Sequence, residues 1–498
     1  MTCSLDRRNV CLLAVAVAIG VTPLRAQSNE ELARRTLESG RTFLQSRNYG
    51  EAVKDFEAVL QRYPTSSVAD DALLELATYQ LDVQRDLAAS LARVKELQSK
   101  YSTSDSAAMA LVLEGRISLA NGRTPTHVDE AIASFDRVAR LFPGSPAVPA
   151  AMYFAGDAAR LGGRRADAVE RFNRLATQFP TSPWTSNALL GSALSLARGG
   201  QSARAMEQLQ RIRTRFPRSR EAAIALDLNT VLYRLYLRAP TQPAFQFSGR
   251  TIPAAPGKLR DVADIAVDGE NTLLVASKTG VLGYGVKGNQ TTSVASPEPR
   301  ALSFDQLGRF ITVHESGIRR EGRTPVALAM PAVEGRVPEM KITAAVMTAS
   351  GEFLVADDEA KGIFRFDGNG RYLGEFARQE KVRDMAINEL DEVAVLTESK
   401  SVVLFGRDGK VVKQLPERGT NYQLRNPVAV AFDAFGHVYV QDRAALLVFS
   451  PEGGRLLTTF TVAEKAPGAL TNAEALALDT AGRLYVFDSR TDSVQVYR

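Results

Sequence analysis

The sequence predicts a multi-domain chain: an all-α superhelix of helix pairs, then an all-β propeller of six blades. Three observations carry this. An aromatic-Pro-x-Ser ending recurs at Tyr63-Pro64-Thr65-Ser66, Phe142-Pro143-Gly144-Ser145, Phe179-Pro180-Thr181-Ser182 and Phe216-Pro217-Arg218-Ser219, with a degenerate copy at Tyr101-Ser102-Thr103-Ser104. The steps are 38, 41, 37 and 37 residues, and a fixed period of this length marks stacked helix pairs. From residue 259 onward, period-2 alternation replaces helical spacing in six copies of a strand-turn-strand unit. The composition of the 498 residues, 45% hydrophobic and 23% charged, is that of a globular protein and excludes wholesale disorder.

The chain opens on an export signal. Arg7 and Arg8 precede an uncharged run from Val10 to Val21, then Thr22-Pro23 and Leu24-Arg25-Ala26. The run is too short for a membrane span, which needs about 20 apolar residues, and it fits a signal peptide of residues 1–26 cleaved near Ala26. Cleavage there removes Cys3 and Cys11, the two cysteines of the chain. No Cys stands at the cleavage point, which disfavours a bacterial lipoprotein signal. No later segment reaches span length, so the mature chain is expected to be exported and not membrane-spanning.

Residues 30–238 hold about five helix pairs and a capping helix, Arg220 to Leu237. Within the repeats, Ala52, Phe56 and Pro64 match Ala131, Phe135 and Pro143, then Ala168, Phe172 and Pro180, then Ala205, Leu209 and Pro217. Residues one turn apart share a helix face. The alanine admits a neighbouring helix, the aromatic fills the space beside it, and the proline ends the helix. Ser66, Ser145, Ser182 and Ser219 are placed to N-cap the helix that follows. The pattern resembles the tetratricopeptide-repeat family, whose Gly, Ala, Phe and Pro positions appear here as Gly40, Ala52, Phe56 and Pro64, and as Gly156, Ala168, Phe172 and Pro180. The long period looks most like the periplasmic Tol-Pal coordinator and outer-membrane assembly lipoprotein types. The family's first Trp is absent, and the second repeat lacks its proline. The resemblance implies a helical platform that binds protein or peptide partners in the cell envelope.

Charge singles out one end of this region. Arg198, Arg204, Arg211, Arg213, Arg215, Arg218 and Arg220 crowd the fifth repeat, with Glu207 and Glu221 near them. Such a surface suits an acidic partner. The alternative is a solvated arginine face with no partner. Trp184, the one tryptophan, starts a helix after Pro183. It either lines a peptide groove or packs between repeats. No aromatics interleave with the arginines for base stacking, and the export signal also argues against nucleic acid.

Residues 239–258 form a linker with Pro240, Pro243, Pro253 and Pro256 around a strand-like Phe245-Gln246-Phe247. Residues 259–498 are the six strand-rich units, with turns at Asn271, Gly308, Gly351, Asp391, Gly436 and Gly482. Four short strands per unit of about 40 residues predict a six-bladed propeller. The Asp-x-x-Gly-x-(Leu/Val)-Tyr-Val-x-Asp pattern of units five and six is similar to the NHL repeat family. The last unit is one strand short, so the segment 245–252 is expected to supply its outer strand and close the ring.

The second strands of the units end near Ser277, Glu315, Asp357, Thr397, Asp442 and Asp488. This polar ring is either a shallow metal or sugar site or a set of turn caps. No catalytic, cofactor-binding or metal-ligating residue is assigned. His127, His314 and His437 are the only histidines, too few in the propeller for a three-His site, and no nucleophile elbow or phosphate loop occurs. The sequence is therefore expected to encode a non-enzymatic envelope scaffold. The alternatives are a lactonase- or lyase-like propeller hydrolase with a helical targeting arm, and a glycan-binding envelope protein.

Overall fold

A computed structural model describes residues 28–498 apart from 240, 255–257, 297, 306–307, 321–324, 333–337, 417–421 and 453. The signal-peptide expectation lies outside the described residues. The described chain is all-α and then all-β. It divides into two compact units, one ending at Leu76 and one running from Ala77 to Arg498.

In the first unit α1 (Asn29–Gln45) pairs with α2 (Tyr49–Arg62), and α3 (Ala69–Tyr79) begins there and ends in the second. Ser28 caps α1 by accepting the Glu31 N–H at 3.2 Å. Ala33, Leu37, Ala52, Phe56 and Val59 are buried together. The Phe56 ring lies so close over Gly40 that a Cβ there would stand 2.6 Å from it. This contact gives the repeat its Gly and Phe: one side chain is deleted so that the other can fill the helix crossing.

The second unit continues with α4 (Leu87–Lys100), α5 (Ser106–Asn121), α6 (Pro125–Leu141), α7 (Val148–Leu161), α8 (Arg165–Gln178), α9 (Trp184–Arg198), α10 (Ser202–Arg215) and α11 (Arg220–Leu232). A π-helical turn, Tyr233–Leu237, extends α11. The same glycine contact recurs, with Phe135 on Gly115 and Phe172 between Gly156 and Gly191. The serine expectation holds at Ser219, which accepts the Ala222 N–H at 3.2 Å. Ser145 and Ser182 instead accept the N–H two residues on, from Ala147 and Trp184, because one or two further residues of turn precede α7 and α9. Ser66 makes no side-chain hydrogen bond.

The propeller has six four-stranded antiparallel sheets. We number the blades 1 (residues 262–295), 2 (301–327), 3 (342–377), 4 (382–415), 5 (429–461) and 6 (473–497). Each blade's innermost strand contacts those of the blades before and after it, and blade 6 meets blade 1. The strand Phe247–Ile252 pairs antiparallel with Ser493–Tyr497 and is the outer strand of blade 6. Turns between first and second strands repeat one device. Asp268, Asn388, Asp433 and Asp479 each accept the N–H groups two and four residues on, which fixes the turn locally.

Candidate functional site

Within the second unit the helices are seated on the propeller. One apolar core runs from Leu196, Leu209, Leu228 and Leu232 into Phe435, Tyr439, Phe460 and Tyr497. Phe245 makes edge contacts with Tyr439 and Phe460 in this core.

Polar contacts surround it, and several use the turns between first and second strands. Arg160 is clamped by Asp157 at 2.7 Å and by Glu389 of blade 4. Arg123 donates to the Glu389 carbonyl, and Arg407 returns a bond to the Leu161 carbonyl at 2.8 Å. Tyr236 meets His437 Nε2 at 2.9 Å, and His437 Nδ1 meets Asp433 at 2.7 Å with no part of the histidine exposed. Burial works against the Arg160 charge, yet Asp157 and Glu389 together hold its pKa above the usual arginine value. Burial, first among several causes, pushes the Tyr236 phenol up to about 12.

Arg198 belongs to this interface. It is 8% exposed and pairs with Glu392 of blade 4. Gly436, at φ +84°, leaves the space its guanidinium occupies; a Cβ there would collide with it. Burial, outweighing Glu392, lowers its pKa, although a guanidinium remains charged at neutral pH. The arginine thus holds helix to blade and stands apart from Arg204, Arg211, Arg213, Arg215 and Arg218.

Arg204, Arg211, Arg215 and Arg218 are exposed and Arg213 is half-buried. Their described partners are neutral: Gln201 for Arg204, Gln208 for Arg211, Gln210 for Arg213 and the Pro180 carbonyl for Arg215. This surface therefore carries positive charge not matched by carboxylates. Trp184 is half-buried, stacked on Tyr153 at 5.2 Å and tilted against Phe154 at 5.3 Å. Arg116 lies over the Phe154 ring. These rings join α7 to α9, so Trp184 packs between repeats and remains half-buried.

The polar ring lies at the other end of the second strands from the docked turns. Its members mostly tie loops. Asp357 accepts the Lys341 and Ala360 N–H groups at 2.7 and 2.6 Å. Asp442 accepts from Arg425 and Asn426, and Asp488 from Thr471, Asn472 and Arg490. Ser277 and Thr397 donate to carbonyls within their own turns. Glu315 is exposed and pairs with Arg300 at 3.0 Å. It stands one residue beyond the others' register, and the equivalent residue ending its strand is His314. The ring carboxylates in register spend their oxygens on backbone N–H groups, a turn-capping and loop-tying role.

Sequence reading missed a pair of carboxylates on the propeller axis. Asp264 and Asp384 occupy the same position in blades 1 and 4, which stand opposite in the ring. Ala301, Ala344, Ala429 and Ala475 take that place elsewhere, and this exception to an alanine column was the available signal. Each aspartate accepts its following residue's N–H and that of the next blade's inner strand, Leu302 or Val430, at 2.8 Å. Both are half-buried. Burial, and next the negative charge of Asp384, push Asp264 well above the usual carboxylate range; burial also raises Asp384.

A raised folded-state pKa contributes stability at acid pH that is lost as pH rises through it. Relative to the double variant Asp264→Ala/Asp384→Ala, the parent should lose at least about 1.4 kcal/mol, the worth of one pKa unit, as pH rises from about 4 through the raised values. Urea unfolding across pH 4 to 9 reads this difference; a constant gap would contradict it.

Comparison with known proteins places the helical half. Residues 30–190 match the YfiO family, described as outer membrane lipoprotein, and residues 187–219 match a tetratricopeptide repeat. The outer membrane protein assembly factor BamD of Haemophilus influenzae is 26% identical over 154 residues, covering 28% of this chain and 58% of that protein. The chain thus spans little more than half the length of that relative. Among solved structures, a gluconolactonase from Xanthomonas campestris is 14% identical, with 52% of this chain and 99% of that one covered and a TM-score of 0.37. A virginiamycin B lyase from Staphylococcus aureus is 12% identical, with 50% and 88% covered and a TM-score of 0.34. Among the described residues no helix is long and apolar enough to cross a membrane. The helical half is a YfiO/BamD-like tetratricopeptide-repeat region, joined in one chain to a six-bladed β-propeller.

Proposed function

We propose that this protein is a non-enzymatic adaptor of the bacterial cell envelope, exported by residues 1–26 and acting on the periplasmic side of the outer membrane. The match of residues 30–190 to an outer membrane lipoprotein family carries this reading. The unmatched charge on Arg204, Arg211, Arg213, Arg215 and Arg218 supports a protein partner, with the half-buried Trp184 as a second contact. Arg198 is assigned to internal docking. The propeller serves as a second platform, fixed to the helices through blades 4 to 6. A lactonase- or lyase-like activity gains no support from the polar ring, whose carboxylates in register are engaged with backbone.

The test is crosslinking of the full chain in its native envelope, followed by mass spectrometry. Reproducible capture of outer-membrane protein assembly components is expected. Recovery of no protein partner would overturn the adaptor reading.

A further inference from the structure

The helical repeats end on a face that is not finished for water. A terminal helix of a stacked array ordinarily turns a polar surface outward. The inner face of α11 is buried normally, through Ala222, Ala225, Leu228 and Leu232. Its outer face and the π turn behind it expose Leu226 at 46%, Tyr233 at 48% and Leu237 at 58%. These are three of the eight large apolar side chains exposed among the described residues. The seven-residue step along α11 puts Leu226 and Tyr233 on one stripe about 10 Å long at 1.5 Å per residue, and Leu237 follows at the end of the π turn. A clustered apolar surface of this kind marks an interaction site more often than scattered single residues do.

Charge says what would cover it. The helix α10, packed against α11, carries Arg211, Arg213 and Arg215, whose described partners are a glutamine oxygen or a carbonyl. Arg218 lies in the turn between the two helices, Arg220 opens α11, and both are exposed. The start of α10 lies by the π turn, where Ser202 reaches Tyr236, so the arginines of 211–220 gather at the Leu226 end of the stripe. An apolar stripe with unmatched arginine at one end fits an amphipathic helix with apolar residues on one face and acidic residues toward one end.

We propose that the α11 end of the array docks an acidic amphipathic helix, about three turns long, from a partner protein. The partner helix adds to the stack where another repeat helix would lie. This rests on the adaptor reading in requiring a protein partner, and it fixes the surface and chemistry of contact.

The experiment places a photo-crosslinking benzoyl-phenylalanine at Tyr233 of the full chain in the native envelope, with a control at Lys410, exposed on blade 4. Crosslinked peptides are mapped by mass spectrometry. The expected product from position 233 is a segment with apolar residues at helical spacing and an excess of Asp and Glu. A synthetic peptide of that segment should bind the parent chain. Its affinity should fall at least tenfold for L226S/Y233S/L237S and for R211E/R218E, with both variants melting as the parent does. A crosslink to a second copy, to a basic or non-amphipathic segment, or none above the control would overturn the proposal. Partners captured elsewhere on the molecule would then leave the adaptor reading standing and this surface excluded.

Discussion

Deleting residues 241–252 is expected to lower the melting temperature of the protein by at least about 10 °C. The segment carries Phe245, 2% exposed, and Ile252, 1% exposed. Phe245 lies in the core shared by helices and propeller, and Ile252 lies between blades 6 and 1. Large-to-small changes at such sites cost about 2–5 kcal/mol each, and each kcal/mol moves the midpoint by roughly 2–4 °C in a domain of this size. The deletion also strips the ladder from Ser493–Tyr497 and the mutual backbone bonds between Gln246 and Arg498. The bared edge would invite pairing between molecules, so aggregation should accompany the loss. Calorimetry and light scattering read both effects. An unchanged melting temperature would mean that the ring closes without this strand.

Arg160→Ala is expected to cost about 3 kcal/mol, in the range for breaking a buried ion pair from one side. The side chain of Arg160 is 12% exposed, with Asp157 at 20% and Glu389 at 40% beside it. Removing the guanidinium leaves two carboxylates facing each other's charge at the helix-propeller junction. Arg160→Met keeps most of the volume and should cost nearly as much, because the loss is electrostatic. Limited proteolysis should find the junction opened in both variants. If Met restored parental stability while Ala did not, packing rather than charge would be the cause.

Much of the architecture was legible because both halves repeat. A repeat states the same local problem several times, and its solution stands out by recurrence. The spacing of Ala, Phe and Pro identified the helix pairs, and the structure supplies the reason for the glycine: the Phe ring lies against a helix with no Cβ in the way. Alternation with regular turns identified the blades. Local rules reached less far at helix starts. Ser66, Ser145 and Ser182 look like Ser219 in sequence, but one or two turn residues separate each of them from its helix, whereas Ser219 stands immediately before α11 and caps it. In the polar ring the strand end belongs to His314 and not to Glu315, because two polar neighbours leave a one-residue ambiguity in sequence that ladder pairing removes.

What the sequence alone determined is the class of each half, from periodicity that any single repeat displays. How residues of different repeats meet depends on tertiary closure. Arg198 and Glu392 lie 194 positions apart, and nothing local in either marks the other. Asp264 and Asp384 come within reach of each other's charge only because six blades close into a ring and put the first opposite the fourth. Periodicity is a property of neighbours along the chain, whereas the docked interface and the axial carboxylates depend on closure and on which face of one array covers the other.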